Sequence, residues 1–244
     1  MAKIENQVAL VTGANRGLGK AFVETLLEMG VKKVYAAARS IETLQADFQD
    51  DRVVPVRLDV TDHVAINALA ADLKDVSLLI NNAGIAGFSG FLKPEDIKVA
   101  RDEMEVNYFA PLMMIRAFAS ALRENGGGGI INIASIASYF NFPALGSYSA
   151  SKAATHFLTQ GARSELEKQG THVVGVYPGP IETDMTAAVD MEKTAPAVVA
   201  RRVLEGFLAG EEDTFPDQAS QEMYAGFRAD PKAMEKQMSE AMPA

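Results

Sequence analysis

The sequence predicts an α/β protein with a doubly wound parallel sheet. Three observations predict it. Short β-branched runs alternate with longer helical patterns, the order that buries a parallel sheet under helices on both faces. A glycine-rich turn joins the first strand pattern to the first helix pattern. No repeat and no stretch rich in Pro, Gly or Ser divides the chain. Its 244 residues fit one large α/β domain or two small ones, and with no linker the reading is a single domain over 1–244.

Strand patterns fall at 8–12, 33–38, 53–58, 77–81, 130–134 and 171–177, and each reads as a buried strand. Helical patterns fall at 18–29, 41–48, 63–73, 97–123, 147–169 and 195–208. Residues 213–215 make a candidate last, short strand. The glycines at 126–129 lie between a helix and a strong strand and read as a turn. Segment 185–194 is irregular. From Pro216 onward, Met223, Phe227, Met234 and Met238 form a helical apolar stripe interrupted at Pro231. Two partners for that stripe stay open: its own domain or a neighbouring subunit.

Composition narrows the function. Hydrophobic residues make up 48%, which suits a folded core. A net charge of −9 and a pI of about 4.9 would repel a nucleic-acid backbone. Cysteine is absent, which excludes disulfides, thiolate catalysis and Cys-based zinc sites. His63, His156 and His172 are scattered without ligand spacing, so no metal is expected. No apolar run reaches membrane-spanning length. The first residues run directly into a strand pattern without a signal peptide, so a cytoplasmic enzyme or binding protein is expected.

The turn Thr12-Gly13-Ala14-Asn15-Arg16-Gly17-Leu18-Gly19 sits where a strand meets a helix. Glycines let backbone approach a ligand closely, and the helix N-terminus offers unpaired N–H groups to a pyrophosphate. The second strand pattern ends Ala38-Arg39-Ser40, without the acid that holds a ribose 2′-hydroxyl. Arg39, with Arg16 in the glycine turn, suits a 2′-phosphate instead, so NADP(H) is expected over NAD(H). Asp59 and Val60 end the third strand pattern, where Asp59 can accept from an adenine amino group. Asn81, Ala83 and Gly84 end the fourth, where backbone can pass close to a ribose.

Tyr148 and Lys152 stand four residues apart, which puts a phenol and an ammonium on one helix face. A free tyrosine has a pKa of about 10, and a nearby cation lowers it. The pair reads as a tuned proton donor and acceptor. Ser135, thirteen positions before Tyr148, is placed to hold a carbonyl oxygen.

Together with Asn107 and Pro178-Gly179-Pro180-Ile181-Glu182-Thr183, these motifs resemble the short-chain dehydrogenase/reductase family, in its order and near its spacing, over residues 7 to 185. The resemblance implies a Rossmann-type sheet of about seven strands. It implies that Tyr148 exchanges a proton with the substrate oxygen, that Ser135 positions that oxygen, and that Lys152 binds the nicotinamide ribose and lowers the tyrosine pKa. Asn107 would hold a water in a relay to Lys152. Thr183 would contact the carboxamide, beside Pro178, Gly179 and Ile181. A homodimer or homotetramer using the helices near 97–123 and 147–169 is also implied.

The substrate pocket is expected from Ala86, Ile136, Phe140, Phe142, Leu145, Pro180 and Met185. These are mostly apolar, which suits an alkyl or aryl ketone or aldehyde. The short 185–194 segment suggests an open pocket. An acyl-thioester reductase, a steroid or alcohol dehydrogenase, and a non-catalytic NADP(H)-binding sensor remain alternatives. A methyltransferase leaves Tyr148 and Lys152 without a role.

Overall fold

A computed structural model describes residues 3–92, 97–188 and 190–240. The ends of the single-domain reading, 1–2 and 241–244, lie outside the described residues, as does residue 189 of the irregular segment. The strands are β1 (Val8–Thr12), β2 (Lys33–Ala38), β3 (Val53–Arg57), β4 (Leu78–Asn81), β5 (Gly129–Ile133), β6 (His172–Val176) and β7 (Asp213–Thr214). They form one seven-stranded sheet in the order β3-β2-β1-β4-β5-β6-β7. Every pairing is parallel. The expected doubly wound α/β class and Rossmann-type sheet are what the chain adopts.

The core follows from strand alternation. Ala9, Val11, Val34, Ala36, Leu78, Ile80, Ile131 and Val174 face one layer, formed by α1 (Gly17–Glu28), α2 (Ile41–Asp47) and α7 (Pro196–Ala209). Val8, Leu10, Leu79, Ile130 and Val173 face the other, formed by α3 (His63–Asp72), α5 (Ala110–Glu124) and α6 (Gly146–Leu166). Both faces are apolar, which is why the strands read as continuous hydrophobic runs.

The 97–123 helix pattern is two helices, not one. α4 (Lys98–Met104) passes into α5 through a π-helical turn over Glu105–Phe109, where the Ala110 N–H donates to the Glu105 carbonyl five residues back. The extra residue carries Asn107, and such turns often mark functional sites. The 147–169 pattern is α6 followed by a 3-10 turn at Glu167–Gln169. The tail forms α8 (Gln218–Ala229) and α9 (Pro231–Glu240), broken at Pro231 as expected. Its stripe packs on its own chain: Met234 and Met238 are buried with Ile136 and Phe140, beside Met223 and Phe227. Among the described residues, no helix is long and apolar enough to cross a membrane.

Strand order reverses between β1 and β4. Chain leaving their carboxyl ends diverges there and opens a crevice, the usual ligand position in such sheets.

Candidate active site

One wall of that crevice is the glycine turn. Thr12, the last residue of β1, accepts hydrogen bonds on its hydroxyl from the Asn82 N–H at 3.0 Å and the Ala83 N–H at 3.1 Å. Asn82 Nδ2 donates back to the Thr12 carbonyl at 2.9 Å. The turns after β1 and β4 are thus sewn together. Gly13 and Gly17 have φ of +66° and +52°, conformations that favour glycine. A Cβ on Gly19 would lie 2.1 Å from the Gly13 carbonyl oxygen, so only glycine lets α1 start here. No side chain caps α1, which leaves its first N–H groups for an anion. Leu18 is buried beneath the turn, Asn15 is half-buried and Arg16 exposed. These residues fit a pyrophosphate.

The outer end of the crevice carries Arg39 and Ser40, both exposed after β2. Asp59 Oδ1 accepts from the Thr61 N–H at 3.0 Å and its hydroxyl at 2.8 Å. These bonds, helped by the charge of Arg39, hold its carboxyl below the usual range. Val60 beside it is half-buried. Ser40 donates to Glu42 at 2.8 Å, and Glu42 pairs with Arg57 at 3.2 Å, so this acid is already committed. Arg16 does not join Arg39 on a common partner. It pairs instead with Asp184 at 3.0 Å, an exposed bridge of small energetic weight.

At the inner end, Asn81 Nδ2 donates to Asn132 Oδ1 at 2.8 Å and locks β4 to β5. A Cβ on Gly84 would lie 3.2 Å from Asn107 Oδ1 and 3.4 Å from Lys152 Nζ, so this backbone runs directly past both side chains. Ser135 ends the chain from β5 and accepts from the Ala137 N–H at 3.1 Å, which fixes its hydroxyl. Tyr148 projects from the first turn of α6, half-buried and hydrogen-bonded to Ser135. Lys152, one turn on and 4% exposed, donates to the Ile133 carbonyl at 2.8 Å. Its Nζ is 5.7 Å from the centre of the Tyr148 ring. Asn107 donates to the Ile85 carbonyl and to Ser151 Oγ, both at 2.9 Å, and accepts from the Ile85 N–H at 3.0 Å. Thr155 donates to the Asn107 carbonyl at 2.7 Å. The chain after β6 returns to the glycine turn: Thr183 Cγ2 is 3.1 Å from where a Cβ on Gly17 would stand. Pro178 accepts from the Ile136 N–H, the Gly179 N–H donates to Asp217, and Ile181 bridges to Thr194.

The arrangement joins an anion-ready turn to a serine, tyrosine and lysine meeting beside it. The sequence profile described as short chain dehydrogenase matches residues 7–194. The chain belongs to the short-chain dehydrogenase family. A 3-oxoacyl-[acyl-carrier-protein] reductase of Vibrio cholerae is 35% identical over 198 residues, 79% of this chain and 81% of that protein. A short chain dehydrogenase from Burkholderia cenocepacia J2315 in complex with NADP superposes with a TM-score of 0.93 at 42% identity, covering 99% of this chain and 100% of the other. One from Burkholderia phymatum in complex with NAD gives 0.86 at 25% identity, covering 100% and 99%. This short-chain dehydrogenase therefore has the fold of nicotinamide-dependent oxidoreductases.

Its electrostatics correct one expectation. Burial pushes the Tyr148 phenol up to about 12, the Ser135 hydrogen bond pulls it back, and the Glu103 carboxylate pushes it further up. Burial draws Lys152 down to about 8. The net direction for the phenol is the reverse of that read from the Tyr-Lys spacing. Desolvation penalises phenolate and ammonium alike, and here it is the largest cause for both groups.

Of the residues read as substrate pocket, Ala86, Phe142, Leu145 and Pro180 are half-buried and Met185 is exposed. Ile136 and Phe140 are packed under α8 and α9, Phe140 with its ring 5.9 Å from that of Phe227. Sequence reading gave no role to Thr12, Asn82, Ser151 and Thr155, which hold the site together. It also missed Glu103, buried in α4. The sequence carries no signal for it, because the acidic run from Asp102 to Glu105 looks like a solvated face.

Proposed function

We propose that this short-chain dehydrogenase is an NADPH-dependent carbonyl reductase working as one domain. The observation that carries the proposal is the meeting of Ser135, Tyr148 and Lys152 beside Gly84. When bound, the reduced nicotinamide supplies the hydride. Ser135 donates a hydrogen bond to the substrate carbonyl oxygen and orients it. Tyr148 gives that oxygen its phenolic proton, so one O–H bond breaks as the alcohol O–H forms. Lys152 binds the nicotinamide ribose and stabilises the phenolate left behind. Asn107 holds a water that returns the proton through Lys152. Gly13, Gly17 and Gly19 cradle the pyrophosphate, Asp59 and Val60 flank the adenine, and Thr183 fixes the carboxamide. Loss of the reduced-nicotinamide absorbance with ketones and aldehydes tests the reaction.

Preference for the phosphorylated cofactor rests on Arg39, for which no ion pair is found among the described residues, while Glu42 is committed to Arg57. Arg39→Asp is expected to lower kcat/KM with NADPH by about 100-fold, the loss of a charge-assisted phosphate contact plus a repulsion. NADH use should change by no more than a few-fold. Equal loss with both cofactors would remove the 2′-phosphate role.

The substrate is a carbonyl compound with apolar substituents. The similarity to the Vibrio reductase supports a second reading, a 3-oxoacyl thioester, which belongs in the same assay. The protein is read as cytoplasmic and as a homodimer or homotetramer. Phe109 and Phe157, 41% and 69% exposed at the end of the π turn and on α6, supply apolar surface for that contact. At micromolar concentration the mass in solution is expected to be that of two or four chains. A mass of one chain would remove the assembly.

A further inference from the structure

Glu103 has no part in the chemistry described so far, yet it is 1% exposed. Among the described residues no cation pairs with it. A buried carboxylate without a counter-ion is costly unless hydrogen bonds satisfy it. Both oxygens are satisfied, and by two different walls of the crevice. Oε1 accepts from the Gly87 N–H at 2.7 Å, on the chain that follows β4. Oε2 accepts from the hydroxyl of Ser147, the residue before Tyr148. The two walls also touch directly, where the Gly146 N–H donates to the Ser89 carbonyl at 3.1 Å. Between those contacts Phe88 has φ of +49°, the one non-glycine residue with positive φ among the described residues. Such a conformation is unfavourable for a non-glycine residue and persists only where its surroundings over-determine it.

We propose that Glu103 is a positioning residue for Tyr148, clamping the first turn of α6 to the strained loop after β4. The proposal rests on the reading of Tyr148 as the proton donor. The clamp sets where the phenol stands relative to the loop after β4, which carries Ala86. Its charge has a second effect. Tyr148 faces Glu103 from α4, Lys152 from its own helix and the uncharged Ser135 from the chain after β5, while Glu105 of the π turn pairs with His63 at 3.0 Å. Glu103 is therefore the negative charge acting on the phenol, and it favours the protonated, donating form. An alkyl residue would pack without either effect.

The test is the pH profile of kcat/KM for alcohol oxidation at saturating NADP, whose rising limb reports deprotonation of the base. Glu103→Gln keeps an acceptor for Gly87 and a partner for Ser147 but removes the charge. Its rising limb is expected about one pH unit lower than in the parent protein. Ser147→Ala keeps the charge and breaks one arm of the clamp. It is expected to lower kcat about tenfold without moving the limb, and it serves where Glu103→Gln does not fold. An unmoved limb in Glu103→Gln, or parental kcat in Ser147→Ala, would overturn the proposal. Tyr148→Phe run in parallel separates the two failures. If it is inactive while the Glu103 variants behave as the parent, only the clamp is lost; turnover surviving in Tyr148→Phe overturns both readings.

Discussion

Tyr148→Phe is expected to lower carbonyl reduction by about 1,000-fold, within the range that a positioned general acid contributes. The substitution removes one oxygen and keeps the ring. Lys152 retains its bond to the Ile133 carbonyl, and Ser135 retains the Ala137 N–H. The fold and the cofactor turn therefore stand, and the dissociation constant of NADPH should move by less than about threefold, since the lost hydroxyl is a single uniform contact at most. Fluorescence titration of NADPH beside the rate assay separates the two effects. Burial and Glu103 keep the phenol protonated well above neutrality. Reduction should accordingly stay level from about pH 6 to 7, below the range where Lys152 loses its proton, while oxidation, which needs phenolate, climbs with pH. A non-catalytic sensor would be indifferent to the substitution.

The second large effect is expected at Gly19. An alanine there would put its Cβ 2.1 Å from the Gly13 carbonyl oxygen and 2.5 Å from Asn82 Nδ2. The first atom is backbone and cannot swing aside. The second belongs to the amide that ties the turns after β1 and β4 together. Relief requires the start of α1 to lift from the turn, at a cost of about 3 kcal/mol, the upper end for overpacking. The same movement takes the helix N–H groups away from a pyrophosphate. Gly19→Ala should lower the unfolding temperature and weaken NADPH binding more than tenfold. Thermal unfolding with and without NADPH reads both. Parental affinity in this variant would mean that the glycine turn does not hold the cofactor.

Much of this architecture is legible in the sequence because it is local. Strand runs such as Val34–Ala38 are apolar on both faces, and the glycine turn announces the first strand-to-helix join. The π turn is not legible, because apolar spacing continues through Val106, Phe109 and Met113 as though one helix ran on. Asn107 entered only through resemblance to a family; its bonds reach Ile85 and Ser151, far away in sequence. Glu103 stands in the acidic run Asp102-Glu103-Met104-Glu105, which looks like a solvated face, and only tertiary packing buries it. The tail stripe at Met234 and Met238 was readable as a helix face, but its partners, Ile136 and Phe140, lie about a hundred residues earlier. The sign of the Tyr148 shift failed for the same reason. Spacing reveals the lysine, whereas desolvation depends on everything packed around the phenol.

The most direct measurement follows the reduced-nicotinamide absorbance of NADPH and NADH in parallel, against ketones, aldehydes, ketoesters and a 3-oxoacyl thioester, with Tyr148→Phe as control. The account predicts oxidation of NADPH faster than NADH with apolar ketones or aldehydes, and none above background in the variant. NADPH that binds tightly but is oxidised with no carbonyl compound in the panel would contradict it.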